Sequence, residues 1–239
     1  MDIITINGLS KSYKSKKALE NVSFAIKNGE LFGLLGVNGA GKTTLIKILS
    51  GLSKKNSGDV IINGFNLDKE MDKIKEIIDV SPQETSVANN LTVKENLEFF
   101  ANVYGENNEE NINEIVKTFS LEEVLDKKAK TLSGGYKRRL SIGVALISKP
   151  KILFLDEPTL GLDVFARREL WNIIKKLKGK ITIVLTSHYL EEIENLCDRV
   201  VILSKGKLIC SGSIEEIKKE AEVSNFEDAF IKLVEKKDE

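Results

Sequence analysis

The stretch LFGLLGVNGAGKTTLIKILSGL, Leu31 to Leu52, settles more about this chain than any other. It opens as an apolar run, turns through Gly36, Gly39 and Gly41, and continues with the apolar spacing of a helix. GVNGAGKT fits the pattern G-x-x-x-x-G-K-[ST] through Gly36, Gly41, Lys42 and Thr43, and a preceding strand with a following helix is the context that pattern needs. The glycines let backbone N–H groups close around phosphate, and the helix dipole favours the negative charge. Lys42 is expected to reach the β- and γ-phosphates, and the Thr43 hydroxyl to ligate Mg2+. Asn38, Gly39 and Thr44 complete the expected cradle.

Two further strand ends carry chemistry. ILFLDEP, Ile152 to Pro158, is four apolar residues ending in the adjacent carboxylates of Asp156 and Glu157. Open α/β sheets bind ligands at the carboxyl ends of their strands. Asp156 is expected to hold Mg2+ through water, and Glu157 to polarise an attacking water as general base. ITIVLTSH, Ile181 to His188, ends in the chain's single histidine. A lone histidine beside a core strand is more often structural, yet this one falls at the edge where a transferring γ-phosphate needs a donor. Gln83, in VSPQET, also ends a short apolar run, and its amide can contact Mg2+ or the attacking water.

Outward from these motifs, the chain reads as an ordinary globular one. It has 239 residues, 41% apolar and 30% charged, enough for a sizeable core. Lys+Arg and Asp+Glu number 36 each, so no overall field favours nucleic acid or an acidic membrane surface. The two cysteines, Cys197 and Cys210, have no metal-ligand spacing and are expected to be reduced thiols. No basic start followed by an apolar run indicates a signal peptide. The apolar runs fall far short of the roughly 20 residues that span a bilayer, so no transmembrane segment is expected.

Short β-rich runs alternate with helical patterns. That favours an α/β fold with a mostly parallel central sheet, formed by 31–36, 151–156 and 181–187. IITING, GDVIING (58–64) and VVILSKGKLICSG (200–212) alternate more and carry turn residues, so they read as a peripheral antiparallel sheet. Beyond Gln83 no strand-like run intervenes. TVKENLEFFANVY carries Val93, Leu97, Phe100 and Tyr104 on one helical stripe, and INEIVKTFSLEEVL repeats the pattern. The expected division is a core with antiparallel sheet (1–83 and 151–212), an inserted helical subdomain (84–150) and a C-terminal helical extension (213–239). In that extension Phe226, Ala229, Phe230 and Leu233 share a face expected to pack on the chain itself.

LSGGYKRRLS, Leu132 to Ser141, poses a puzzle: Ser-Gly-Gly before a helix suits an anion, although the chain already has a better phosphate cradle. Lys137, Arg138 and Arg139 oppose that helix's dipole and read as a solvated basic face.

In order, SYKSKKAL with Tyr13, GVNGAGKTT, SPQ with Gln83, LSGGY, ILFLDEP, GLD ending in Asp163, and TSH with His188 resemble the nucleotide-binding subunit of ATP-binding cassette (ABC) transporters. The resemblance covers essentially the whole chain. It implies a P-loop ATPase that binds ATP and Mg2+, with Tyr13 stacking on adenine. It also implies two such domains pairing head to tail, each ATP held by one Gly-rich loop and the other's signature. Ser133, Gly134 and Gly135 would then complete the partner's site, with Asp163 along the interface. Tyr136 departs from the Gln of many members. GGYKRRLSIGVALI looks like the export-type branch, which implies transmembrane permease subunits as partners, a second cassette that can be identical, and a place on the cytoplasmic face of the membrane. The alternative is a soluble cassette ATPase acting on nucleic acid or ribosomes. Against it stand the short Gln83–Leu132 insertion, the single cassette and the neutral net charge.

Overall fold

The computed structural model describes residues 1–105 and 109–238. In chain order the elements are β1 (Asp2–Tyr13), β2 (Lys16–Lys27), β3 (Leu31–Leu35), α1 (Lys42–Leu49), β4 (Ser57–Ile62), β5 (Phe65–Asn66), α2 (Met71–Lys75), β6 (Ile78–Ser81), α3 (Val93–Tyr104) and α4 (Glu109–Thr118). There follow α5 (Gly134–Leu146), β7 (Ile152–Asp156), α6 (Val164–Leu177), β8 (Thr182–Ser187), α7 (Leu190–Leu196), β9 (Arg199–Ser204), β10 (Lys207–Gly212), α8 (Ile214–Ala221) and α9 (Phe226–Asp238).

The main sheet runs β10-β9-β3-β8-β7-β6, parallel except for β10 at its edge. A second sheet, β2-β1-β4-β5, is antiparallel. Every residue of β3, β7 and β8 is buried. The reason is the two-residue period of a strand, which sends alternate side chains into two different cores. Phe32, Leu34, Phe154, Val184 and Leu203 meet α1 and the antiparallel sheet. Leu31, Leu35, Leu153, Leu155, Leu185 and Ile202 meet the helices on the other side, including α3 to α7. Phe226, Ala229 and Leu233 of α9 join that second core, as their stripe predicts.

The segment 200–212 departs from the sequence reading. Its strands β9 and β10 belong to the main sheet, β9 pairing in parallel with β3, and not to the peripheral one. β9 is buried almost throughout, so its apolar residues serve both cores, while the turn residues of β10 mark an edge strand. Of the α3 stripe, Val93 and Leu97 are buried and Phe100 packs partly buried on the core, while Tyr104 at its end is exposed. Both cysteines are free thiols. Among the described residues no helix is long and apolar enough to cross a membrane.

α3 starts where Thr92 and Glu95 form a reciprocal capping box. One turn on, the fully buried Asn96 holds the preceding loop. Its Oδ1 accepts from Ala88 N at 2.7 Å, and its Nδ2 donates to the carbonyls of Ala88 at 3.1 Å and Thr92 at 2.8 Å. Asn96→Ala leaves these groups unpaired and is expected to cost about 1–3 kcal/mol. Urea unfolding measures that loss, and faster amide exchange at Ala88 locates it.

Candidate functional site

The carboxyl ends of three neighbouring strands build the site. Register pairs Leu35 of β3 with Ser187 of β8, and Asp156 of β7 with Thr186 of β8. Gly36, Asp156, Glu157 and His188 therefore leave the sheet along one edge. A cleft of about 550 Å³ opens there. Of the residues singled out in the sequence, Tyr13, Asn38, Gly39, Gly41, Lys42, Thr43, Thr44, Gln83, Glu157 and His188 line it.

Two glycines of the loop have no substitute. A Cβ on Gly36 would lie 2.4 Å from the Leu203 carbonyl oxygen. One on Gly41 would lie 2.6 Å from the Ala18 carbonyl, and Gly41 also holds a φ of 110° as the N-cap of α1. Lys42 follows at 5% exposure, its Nζ donating to Gly36 O at 2.6 Å and lying 3.6 Å from Glu157 Oε1. Burial lowers its pKa, and the Glu157 carboxylate partly offsets that.

Glu157 sits in the left-handed region at φ 48°, a conformation costing a non-glycine residue about 1 kcal/mol or more. It is held there because its N–H donates to Thr186, at 3.2 Å to the carbonyl and 2.9 Å to Oγ1. Its Oε2 lies 3.3 Å from His188 Nδ1, and no hydrogen bond of ordinary geometry joins them. One carboxylate thus stands between the ammonium and the imidazole.

Asp156 is buried behind the cleft. Its Oδ1 accepts from Thr186 Oγ1 at 2.6 Å and from Thr43 Oγ1 at 3.3 Å. A hydroxyl, a carboxylate and the Gln83 amide are hard oxygen donors that suit Mg2+, and the first two already touch. Gln83 is placed by Arg138, whose guanidinium donates to the Pro82 carbonyl at 2.7 Å and to the Gln83 carbonyl. Tyr13 is 46% exposed, its OH 3.2 Å from Ser53 Oγ and its ring under the Lys11 ammonium at 4.7 Å.

Ser133, Gly134, Gly135 and Asp163 are not part of that cleft. They form a second group at the adjacent starts of α5 and α6. Ser133 caps α5, accepting from Tyr136 N at 3.4 Å. Asp163 caps α6, accepting from Phe165 N at 2.9 Å and Ala166 N at 3.0 Å. A Cβ on Gly135 would lie 3.0 Å from Ala166 Cβ, so the two helix starts pack directly. Tyr136 gains a role here. Its partly buried ring packs on the core beneath the Arg139 guanidinium, 4.9 Å away, and Arg139 pairs with Glu169 of α6.

Arg138 and Arg139 are buried, which corrects the reading of a solvated basic face. α5 is apolar or packed nearly all round, so its cations are drawn into contacts with Gln83 and α6. Sequence reasoning also missed Lys16 and Thr186. Lys16 had only the basic run around Tyr13 as a signal. Thr186 had none, because a threonine inside a buried strand reads as core.

Residues 19–160 match the family described as ABC transporter, and 128–194 match an AAA domain. The linearmycin resistance ATP-binding protein LnrL of Bacillus subtilis is 40% identical over 88% of this chain and 69% of its own length. The phospholipid-transporting ATPase ABCA3 of Mus musculus is 40% identical over 88% of this chain and 13% of its own. The "Probable multidrug ABC transporter ATP-binding protein YbhF" of Escherichia coli is 37% identical over 97% and 42%. The chain thus spans about two thirds of the first relative and less than half of the other two. Among solved structures, an ATP-binding subunit of an ABC transporter superposes with TM-score 0.85 at 29% identity, covering 97% of this chain and 99% of that one. A dimeric ATP-binding cassette in a post-hydrolysis state, bound to ADP and Pi, superposes with TM-score 0.77 at 26% identity, covering 88% and 98%.

The Thr186 hydroxyl holds both Asp156 and Glu157, so Thr186→Val should loosen both, leaving the Glu157 N–H only the Thr186 carbonyl. ATP turnover is expected to fall about tenfold with little change in nucleotide affinity. Steady-state kinetics beside equilibrium ATP binding separates the two.

Proposed function

For a chain that belongs to the ABC transporter family as its ATP-binding, ATP-hydrolysing domain, we propose a motor role: two such domains close around ATP and open after hydrolysis to drive a membrane permease. The observation that carries this reading is the Glu157 carboxylate, 3.6 Å from Lys42 and 3.3 Å from His188 at the mouth of the phosphate loop.

The loop from Gly36 to Thr44 offers its N–H groups to the phosphates, and Lys42 exchanges carbonyl and carboxylate partners for phosphate oxygens. Thr43, Asp156 and Gln83 would hold Mg2+, which would supply charge neutralisation to the transferring phosphate. Glu157 draws a proton from the attacking water, and His188 donates toward the γ-phosphate. Tyr13 supplies a face for adenine.

Ser133, Gly134 and Gly135 start a helix outside their own cleft, so their N–H groups serve the nucleotide of a second cassette, and an identical copy fits because both half-sites are complete. Asp163 lies along the same interface. In this reading 1–83 and 151–212 form the nucleotide core with its antiparallel sheet, and 84–150 carries motion from Gln83 to the permease. The stretch 213–239 extends the core. The relatives' names, with resistance, multidrug and phospholipid transport among them, support outward transport and a place on the cytoplasmic face of the membrane.

Glu157→Gln keeps the shape and loses the base. ATP binding should persist, hydrolysis should fall by about a hundredfold or more, and the chain should run as an ATP-loaded dimer in size exclusion. A monomer that turns ATP over normally would sink the mechanism.

Ser133→Arg places a bulky cation at the start of α5. Each chain should still bind one nucleotide in equilibrium titration, yet hydrolysis should stop. A normal rate rules out the shared site.

A further inference from the structure

Behind His188 lies a carboxylate that the chemistry above leaves unused. Glu192, in the first half of α7, is 0% exposed. A buried carboxylate is costly unless partners compensate it, so an apolar residue would be the cheaper filling. Burial raises its pKa, an effect that the neighbouring Ser187 and Thr159 hydroxyls, the Trp171 indole and the more distant Arg167 charge partly offset.

Its hydrogen-bond partner lies on α6, and its neighbours Thr159 and Ser187 lie on two other segments. Oε1 accepts from Trp171 Nε1 at 3.1 Å. Trp171 belongs to α6, the helix capped by Asp163. Thr159 lies in the turn after Glu157, where Leu160 N donates to Glu157 O at 3.2 Å and Leu162 N to Thr159 O at 3.1 Å. Ser187 directly precedes His188, and its Oγ accepts from Tyr189 N at 2.9 Å. Each segment therefore carries one residue of the proposed machinery. Glu192 Oε2 and Thr159 Oγ1 are both buried without a hydrogen bond of ordinary geometry.

We infer that Glu192 is a positioning residue: from behind the cleft, its one carboxylate sets the loop of His188 against the turn of Glu157 and the helix of Asp163. The inference rests on the roles proposed above for those three residues. Its contacts also run from behind the chain's own cleft to the middle of α6, the helix whose start faces the second cassette in the shared-site reading. Positioning of this kind acts on turnover more than on nucleotide capture, because the phosphate loop lies on another strand.

The test compares Glu192→Ala, Glu192→Gln and Trp171→Phe in the full chain. ATP turnover, equilibrium ATP affinity and thermal stability are measured for each. Glu192→Ala is expected to lower kcat about tenfold or more while the ATP Kd stays within about threefold. Glu192→Gln should restore most of the rate, since its amide oxygen can still accept the indole N–H. Trp171→Phe, which keeps a ring and loses only that donor, should fall between them, and it decides the matter if the alanine variant does not fold. Trp171 is the single tryptophan, so its emission should change on adding Mg-ATP to wild type and lose that change in Glu192→Ala. A folded Glu192→Ala with wild-type kcat overturns the inference. So does a parallel loss of rate, affinity and stability in all three variants, which marks a purely structural residue. Normal turnover by Glu157→Gln would remove the proposed roles and this inference together. An inactive Glu157→Gln beside a fully active Glu192→Ala overturns the inference alone.

Discussion

An ammonium group at 5% exposure cannot be left without partners, and the phosphate cleft is arranged around that demand. Lys42 Nζ takes the Gly36 carbonyl and faces the Glu157 carboxylate. The carbonyl is available because the loop bends back on itself, which needs glycine at 36 and 41. The carboxylate is available because Glu157 accepts a left-handed backbone, fixed by Thr186. The same charge that suits a triphosphate therefore organises the groups proposed to act on it.

The sheet supplies the rigidity behind this edge. Strands β3, β7 and β8 are buried on both faces, one against α1 and the antiparallel sheet, the other against the helices. Their carboxyl ends cannot drift apart without disturbing two cores at once. The helical side is tied in by single polar anchors. Arg138 holds the carbonyls around Gln83, Asn96 holds the loop before α3, and Arg139 with Glu169 holds α5 to α6. Each is a buried polar group whose partners are backbone or opposite charge. Contacts of that kind fix geometry more than they add stability.

Most of the candidate site was legible in the sequence because it obeys local rules. A glycine loop between strand and helix, paired carboxylates at a strand end and a histidine at another strand end can be read at fixed spacing. Side chains whose part depends on distant neighbours were not legible. Thr186 looks like strand filling, and only its pairing opposite Asp156 reveals it. Arg138 and Arg139 look like surface cations until α5 is found packed nearly all round. The segment 200–212 looks peripheral because turn residues dominate its pattern, whereas strand order is a matter of which edge is free.

The sequence by itself determined the phosphate loop, the acidic and histidine strand ends, the α/β class and the second anion-suited helix start at Ser133. These rest on periodicity and on backbone chemistry within a few residues, which the chain carries wherever it goes. Only the tertiary structure decided that the helix starts at Ser133 and Asp163 adjoin outside the cleft, that Glu157 stands between Lys42 and His188, and that Glu192 ties α7 to α6 behind the site. Those are distances between residues far apart in the chain, and they exist because two cores hold one sheet edge in register.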